Sequence, residues 1–149
     1  MTSIQDSLSA DHVRLDSIFE QLVHAAKAHD GAAHRLLDLV ERELTHHMAW
    51  EERHLFPAVL ALYGDRRKHV ESLTIDHDFI RSHLAASRDL LAEERFAEAL
   101  DELEALRVRL IGHNDDEELG AYRAIDLQLG EEERRALLEA FKTGAPARL

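Results

Sequence analysis

The sequence contains no cysteine. Thiolate metal sites, disulfides and thiol redox switches are therefore excluded, and any bound metal must be held by nitrogen and oxygen. Proline and glycine are scarce, at two and six in 149 residues, and the chain lacks the composition of a disordered segment. No apolar run approaches the length that crosses a bilayer, and the opening stretch Met1-Thr2-Ser3-Ile4-Gln5-Asp6 has neither the basic nor the apolar region of a signal peptide. A soluble cytoplasmic protein is expected. Positive charge is also short, since 18 Lys and Arg stand against 30 Asp and Glu for a formal charge of −12. Broad contact with nucleic acid or anionic membrane is disfavoured because both are polyanions, which leaves small molecules and proteins as partners.

Hydrophobic residues make up 45% of the chain, enough at this length for a single domain over residues 1–149 with a substantial core. One pattern occurs twice: Asp-His-x-x-(Leu/Ile), followed later by His-x3-Glu-Glu. The first copy is Asp11-His12 and Leu15 with His47, Glu51 and Glu52. The second is Asp76-His77 and Ile80 with His113, Glu117 and Glu118. His12 and His77 are 65 residues apart and His47 and His113 are 66 apart, a register that implies two matching halves.

Helix-period apolar stripes run through four segments. The first is expected from Ser9, as N-cap, to Ala28, with Leu8, Leu15, Phe19, Leu22 and Ala26 on its stripe and His12 filling a gap. The second spans about Ala32 to Phe56, where Pro57 should bend or end it. The third follows Tyr63-Gly64-Asp65, and His77 takes the vacant place between Leu73 and Ile80. The fourth starts near Arg95, leads through Leu103, Leu106 and Leu110 into His113 and Glu117, and is expected to close at Gly120. An amphipathic segment at about Glu131–Lys142 reads as an appended helix, and the tail after Gly144 as frayed. Short connections favour antiparallel neighbours, so the fold class is all-α: an up-down-up-down four-helix bundle over about 8–123 with a short C-terminal helix. That topology brings all six stripe-continuing polar residues to one end.

Residues four apart on a helix differ by about 40° in direction and about 6 Å in height, so each His-x3-Glu pair aims two ligands at one place. Burying four imidazoles and two carboxylates is costly unless they pair or bind metal. His12, His47, Glu51, His77, His113 and Glu117 are the candidate metal ligands. Four nitrogens and two carboxylates suit two ions, with the carboxylates bridging, two imidazoles on each ion, and one oxo or hydroxo bridge leaving an open position on each. Iron, manganese and zinc all fit this donor set, and iron is the usual choice for binding dioxygen, nitric oxide or peroxide.

These residues, with the stretch His47-Met-Ala-Trp-Glu51-Glu52-Arg-His-Leu55-Phe56-Pro57, resemble the hemerythrin-like HHE cation-binding domain across roughly residues 8 to 123. The resemblance implies a non-haem di-iron centre with the four histidines as terminal ligands and Glu51 and Glu117 as bridges. Oxygen-carrying hemerythrins present two histidines four apart on the third helix, where this chain has Leu73 and Arg81 around His77. They also use aspartate as the second carboxylate, where this chain has Glu117. Reversible oxygen carriage is thereby disfavoured relative to peroxide or nitric oxide chemistry, or iron-responsive behaviour.

The remaining polar and aromatic candidates carry plainer expectations. His54 belongs at the bundle end or beside a ligand, and His24, His29, His34, His46, His69 and His83 at surface or turn positions. Glu52 and Glu118 rotate off the stripe, to exposed places or places behind a ligand, and Asp11 and Asp76 are helix-start acids or partners of the histidines. Trp50, one turn from His47, is weighed as a wall of the ligand cavity against the commoner role of core filler. Tyr122, nine residues after His113 as Phe56 is after His47, is weighed as a hydroxyl near the site against the safer reading, a buried tyrosine with a backbone partner. Three functions are weighed: a di-iron module that binds or senses a small ligand or iron, a di-iron redox enzyme of catalase, peroxidase or nitric-oxide-detoxifying type, and a helical interaction module with a structural metal.

Overall fold

The computed structural model describes residues 2–144, which are helical with no strand among them. In chain order the elements are α1 (Ile4–Lys27), α2 (Ala32–Trp50), a π-helical segment (Glu51–Leu55), α3 (Phe56–Leu62), a 3-10 turn (Gly64–Arg66), α4 (Arg67–Ala92), α5 (Phe96–Asp116), a second π-helical segment (Glu117–Ala121), α6 (Tyr122–Gln128) and α7 (Glu131–Thr143). α2 runs through its π segment into α3 without a break, and α5 likewise into α6. Laterally, α1 packs on α2 and α5, and α4 on the same two helices. None of these helices is long and apolar enough to cross a membrane.

α1 begins earlier than Ser9, because Ile4 and Leu8 extend the apolar stripe and are fully buried. Its cap is Ser3, whose hydroxyl accepts from the Asp6 amide, and the Asp126 carboxylate on α6 accepts from the Ile4 and Gln5 amides at 2.7 and 2.9 Å. A distant carboxylate thus satisfies the orphan donors of the helix start.

Pro57 does not end the second helical run. It sits in the first turn of α3, where the missing N–H costs least. Gly120 does not close the fourth run either, and lies inside the second π segment. A Cβ there would stand 2.4 Å from His69 Nε2 and 2.6 Å from its Cε1, so any larger residue must displace the His69 ring of α4. His69, expected at the surface, is partly buried in this contact; burial, then the Arg66 charge, holds its imidazole below the usual histidine range. Gly120→Ala is expected to destabilise by about 1–3 kcal/mol through this clash, against the roughly 1 kcal/mol that alanine gains in a helix. In a His69→Ala background the same change should become neutral or stabilising. Urea denaturation of the double-mutant cycle checks this, and an equal cost in both backgrounds would reject the clash as the cause.

The repeat extends to the turns. After α1, the Asp30 amide bonds Ala25 O and the His29 amide bonds Ala26 O; after α4, Arg95 bonds Leu90 O and Glu94 bonds Leu91 O. These are the paired bonds of a Schellman closure, and His29 (φ 53°) and Glu94 (φ 57°) both take the left-handed conformation it requires. His29 stacks on Phe96 at 5.1 Å, so the two turns meet.

Two hydrophobic clusters fill the interior, one containing Leu15, Leu44, Met48, Ile80 and Leu110, the other Leu8, Leu55, Leu73 and Tyr122. Every long helical run passes from one cluster to the other, and its histidine lies at the crossing. α7 closes the end beyond the second cluster: Trp50 Nε1 donates to Leu137 O and His46 Nε2 to Phe141 O, while Phe141 packs on the Trp50 and His47 rings. Trp50 is therefore the core filler the sequence suggests, tied to α7 by its indole.

Candidate metal centre

His12, His47, His77, His113, Glu51 and Glu117 are all buried, and the two carboxylates are fully so. Their apolar neighbours at helical spacing force them inward, and the helices bring them together. Glu51 Oε2 lies 3.5 Å from His47 Nε2, while its Oε1 lies 3.2 Å from His77 Nε2. Glu117 Oε1 lies 3.5 Å from His12 Nε2 and 3.2 Å from His113 Nε2. Each glutamate thus touches one imidazole from each half of the chain. Two donors at right angles around an ion, each about 2.1 Å away, are about 3 Å apart, so these spacings are those of neighbouring ligands. Two donor groups can each hold a metal ion: Glu51, His77, His113 and Glu117; and His12, His47 and Glu117.

Each inner ring is backed by a carboxylate. Asp11 accepts from His47 Nδ1 at 2.9 Å and Asp76 from His113 Nδ1 at 3.0 Å, both within one half. Glu52 lies 3.3 Å from His77 Nδ1 and Glu118 lies 3.5 Å from His12 Nδ1, both across halves and at ion-pair distance without a hydrogen bond. Arg81 anchors Glu52, and Arg14 anchors Asp11. This accounts for every acid in the repeated pattern. An imidazole whose Nδ1–H faces a carboxylate presents its Nε2 lone pair inward, as metal-bound histidines do.

Without a cation the inner atoms are poorly satisfied. His77 Nε2, Glu51 Oε1 and Glu117 Oε2 are buried and lack any hydrogen bond, and His12 Nε2 faces His47 Nε2 at 3.3 Å. Protons partly take the cation's place. Burial alone would lower His47, but the Glu51 charge and hydrogen bonds to Asp11 and Glu51 raise it to about 10. His113 is raised to about 9 against burial, by Glu117, Glu51 and Asp76. Burial likewise opposes ionisation of Glu51, and the His47 charge with the surrounding hydrogen bonds holds it well below the usual carboxylate range. The donor set, all nitrogen and oxygen, fits a di- or trivalent first-row cation.

Of the two readings of Tyr122, the safer one fails. Tyr122 has no backbone partner for its hydroxyl; the oxygen sits among the donors, 2.6 Å from Glu51 Oε2, 3.0 Å from His47 Nε2, 3.1 Å from Glu117 Oε1 and 3.2 Å from His12 Nε2. Burial, then the Glu117 and Glu51 charges, push the phenol well above its ordinary pKa, a balance that a nearby cation reverses. On an α-helix, residues five apart point about 140° apart. The π segment from Glu117 instead closes on the Tyr122 amide, returning the side chain to the glutamate's face. π turns are frequent at functional sites.

A cavity of about 230 Å³ reaches the centre between α1 and α5, lined by His12, His47, His113, Glu51 and Glu117, with Leu15, Phe19 and Ile80 deeper in. Val13 and Ile111 line it while remaining 72% and 55% exposed, which puts its rim at the surface. His54 belongs to neither donor group, and His83 pairs instead with Glu102. His24, His29 and His34 are exposed as expected.

No curated protein and no solved structure gives a significant match to the chain. A family model does match, over residues 3–125, from the cap of α1 into α6: the hemerythrin HHE cation-binding domain. Because that match takes in the whole donor cluster and most of the chain, the protein belongs to the hemerythrin HHE cation-binding family.

Proposed function

We propose that the chain is a non-haem di-iron protein that binds or senses a small ligand: dioxygen, nitric oxide or peroxide. One iron is held by His77 and His113, the other by His12 and His47, and Glu51 and Glu117 bridge them. The observation that carries this reading is that each glutamate lies 3.2–3.5 Å from an imidazole of both halves. Iron so held supplies a redox-active pair with room for an exogenous ligand.

The cavity gives a small ligand a route to the centre. Its roughly 230 Å³ falls below the 300–1,000 Å³ of ordinary small-molecule pockets, and its deeper walls are apolar. We also read the four long runs as an up-down-up-down bundle. Supporting this, α1 and α4 go from the Leu8–Leu73 cluster to the Leu15–Ile80 cluster, whereas α2 and α5 go the opposite way.

Metal analysis and optical spectra of natively purified protein test the proposal. Two irons per chain with near-ultraviolet charge-transfer bands of a bridged ferric pair are expected, and stoichiometric zinc in a colourless protein would overturn it. Adding peroxide to the iron form then separates binding from turnover. A spectral change that saturates supports a binding protein, whereas sustained oxygen evolution lost in His113→Ala would replace it with a catalytic one.

A further inference from the structure

The two halves supply the same donor residues in register, but they differ where Phe56 of one stands opposite Tyr122 of the other. Phe56 and Tyr122 each follow a π segment that starts at a bridging-type glutamate, and the widened turn swings each ring toward the centre. Phe56 stacks on His77 at 5.4 Å and offers no polar atom. Tyr122 puts a fully buried hydroxyl within 2.6–3.2 Å of four donor atoms, one on each member of the His12, His47 and Glu117 group and the fourth on Glu51. It approaches from the side of the Leu8–Leu73 cluster and is absent from the cavity wall.

Resting on the di-iron reading, we infer that Tyr122 is a seventh protein ligand, a phenolate oxygen on the iron held by His12 and His47. That iron then has five protein donors: His12, His47, Glu51, Glu117 and Tyr122. Its neighbour has four: His77, His113, Glu51 and Glu117. The ions are then unequal, the one at His77 and His113 having one protein donor fewer. On ligation the O–H bond breaks, its proton leaves to solvent and an oxygen–iron bond forms, with no change in oxidation state. The spacing fits an ionic neighbour, since an oxygen about 3 Å from several ligands is where a donor to the same ion belongs.

Ferric iron bound to a phenolate absorbs in the visible and, excited there, gives Raman ring modes of the coordinated tyrosine. The wild-type ferric protein is expected to show both, and Tyr122→Phe to lose both while keeping its iron content. A Tyr122→Phe/Phe56→Tyr double variant should regain the band with an altered maximum, because the oxygen would then approach the other ion. Wild-type protein that binds two irons yet lacks tyrosinate modes would overturn the inference alone, as would a visible band untouched by Tyr122→Phe. Protein that takes up no iron would overturn the di-iron reading and this ligand with it. Should Tyr122→Phe fail to fold, the Raman spectrum of the wild type still decides.

Discussion

Saturating the metal-free protein with iron is expected to raise its melting temperature by about 8–16 °C, because a ligand at about a thousand times its Kd adds about 4 kcal/mol and a domain this size gains about 2–4 °C per kcal/mol. The rise should largely vanish in Glu51→Ala. This glutamate is fully buried and its two oxygens face His47 and His77 separately, so its loss removes a donor from both ions at once. The metal-free variant should still fold. Its histidines can shed their protons once the carboxylate is gone, which limits the penalty to about 1–3 kcal/mol for unsatisfied polar groups plus a small cavity term. Calorimetry of wild type and variant, with and without iron, reads both numbers. A wild type whose melting temperature ignores both iron and chelator would mean that the imidazoles and carboxylates form a polar core that needs no metal.

The six inner residues were legible because they continue stripes whose other members are leucine, isoleucine and phenylalanine at three-and-four spacing. A polar residue on such a stripe must be buried, and four stripes carrying histidine in register point to one site. The carboxylates behind the rings were only half legible. Asp11 and Asp76 serve equally well as helix-start acids on paper, and only helix packing shows that they reach histidines 36 and 37 residues away. Tyr122 was also half legible, as a hydroxyl near the site or a buried ring with a backbone partner, for a definite reason. At 3.6 residues per turn its side chain falls off the ligand face, and the π segment from Glu117 resets that phase by about one residue. The same reset moved the end of the fourth run past Gly120, whose role depends on a ring from another helix. The early start of α1 had a local signal in Ser3, but Ser9 carries the same cap chemistry, and the deciding contact comes from Asp126. Tertiary partners chose between local alternatives in each of these cases.

The apparent affinity for a divalent metal should rise at least tenfold per pH unit between about pH 7 and 9, since every proton displaced by the metal contributes tenfold per unit. The protons in question sit on His47 and His113, raised to about 10 and about 9 in the metal-free protein. A metal ligand must be the neutral imidazole, so uptake at neutral pH expels both. Stability of the metal-free protein should run the other way. A folded pKa above the unfolded value of about 6.5 contributes stability that is complete below that value and is lost as pH climbs through about 9 and then about 10. Glu51 has the opposite sign: its depressed pKa contributes above the unfolded value near 4.5, and that contribution fades as the pH falls through the lowered one. The metal-free form therefore draws most from this cluster between about pH 4.5 and 6.5. The loaded form is held by ligands that protons compete for, and it weakens toward acid. The gap in melting temperature between loaded and chelated protein should accordingly widen from pH 6 to pH 9. Cobalt(II) or zinc, titrated against a competing chelator across that range, reads the affinity without ferric hydrolysis. A pH-independent affinity would mean that the imidazoles are already neutral in the metal-free protein and that uptake expels no proton.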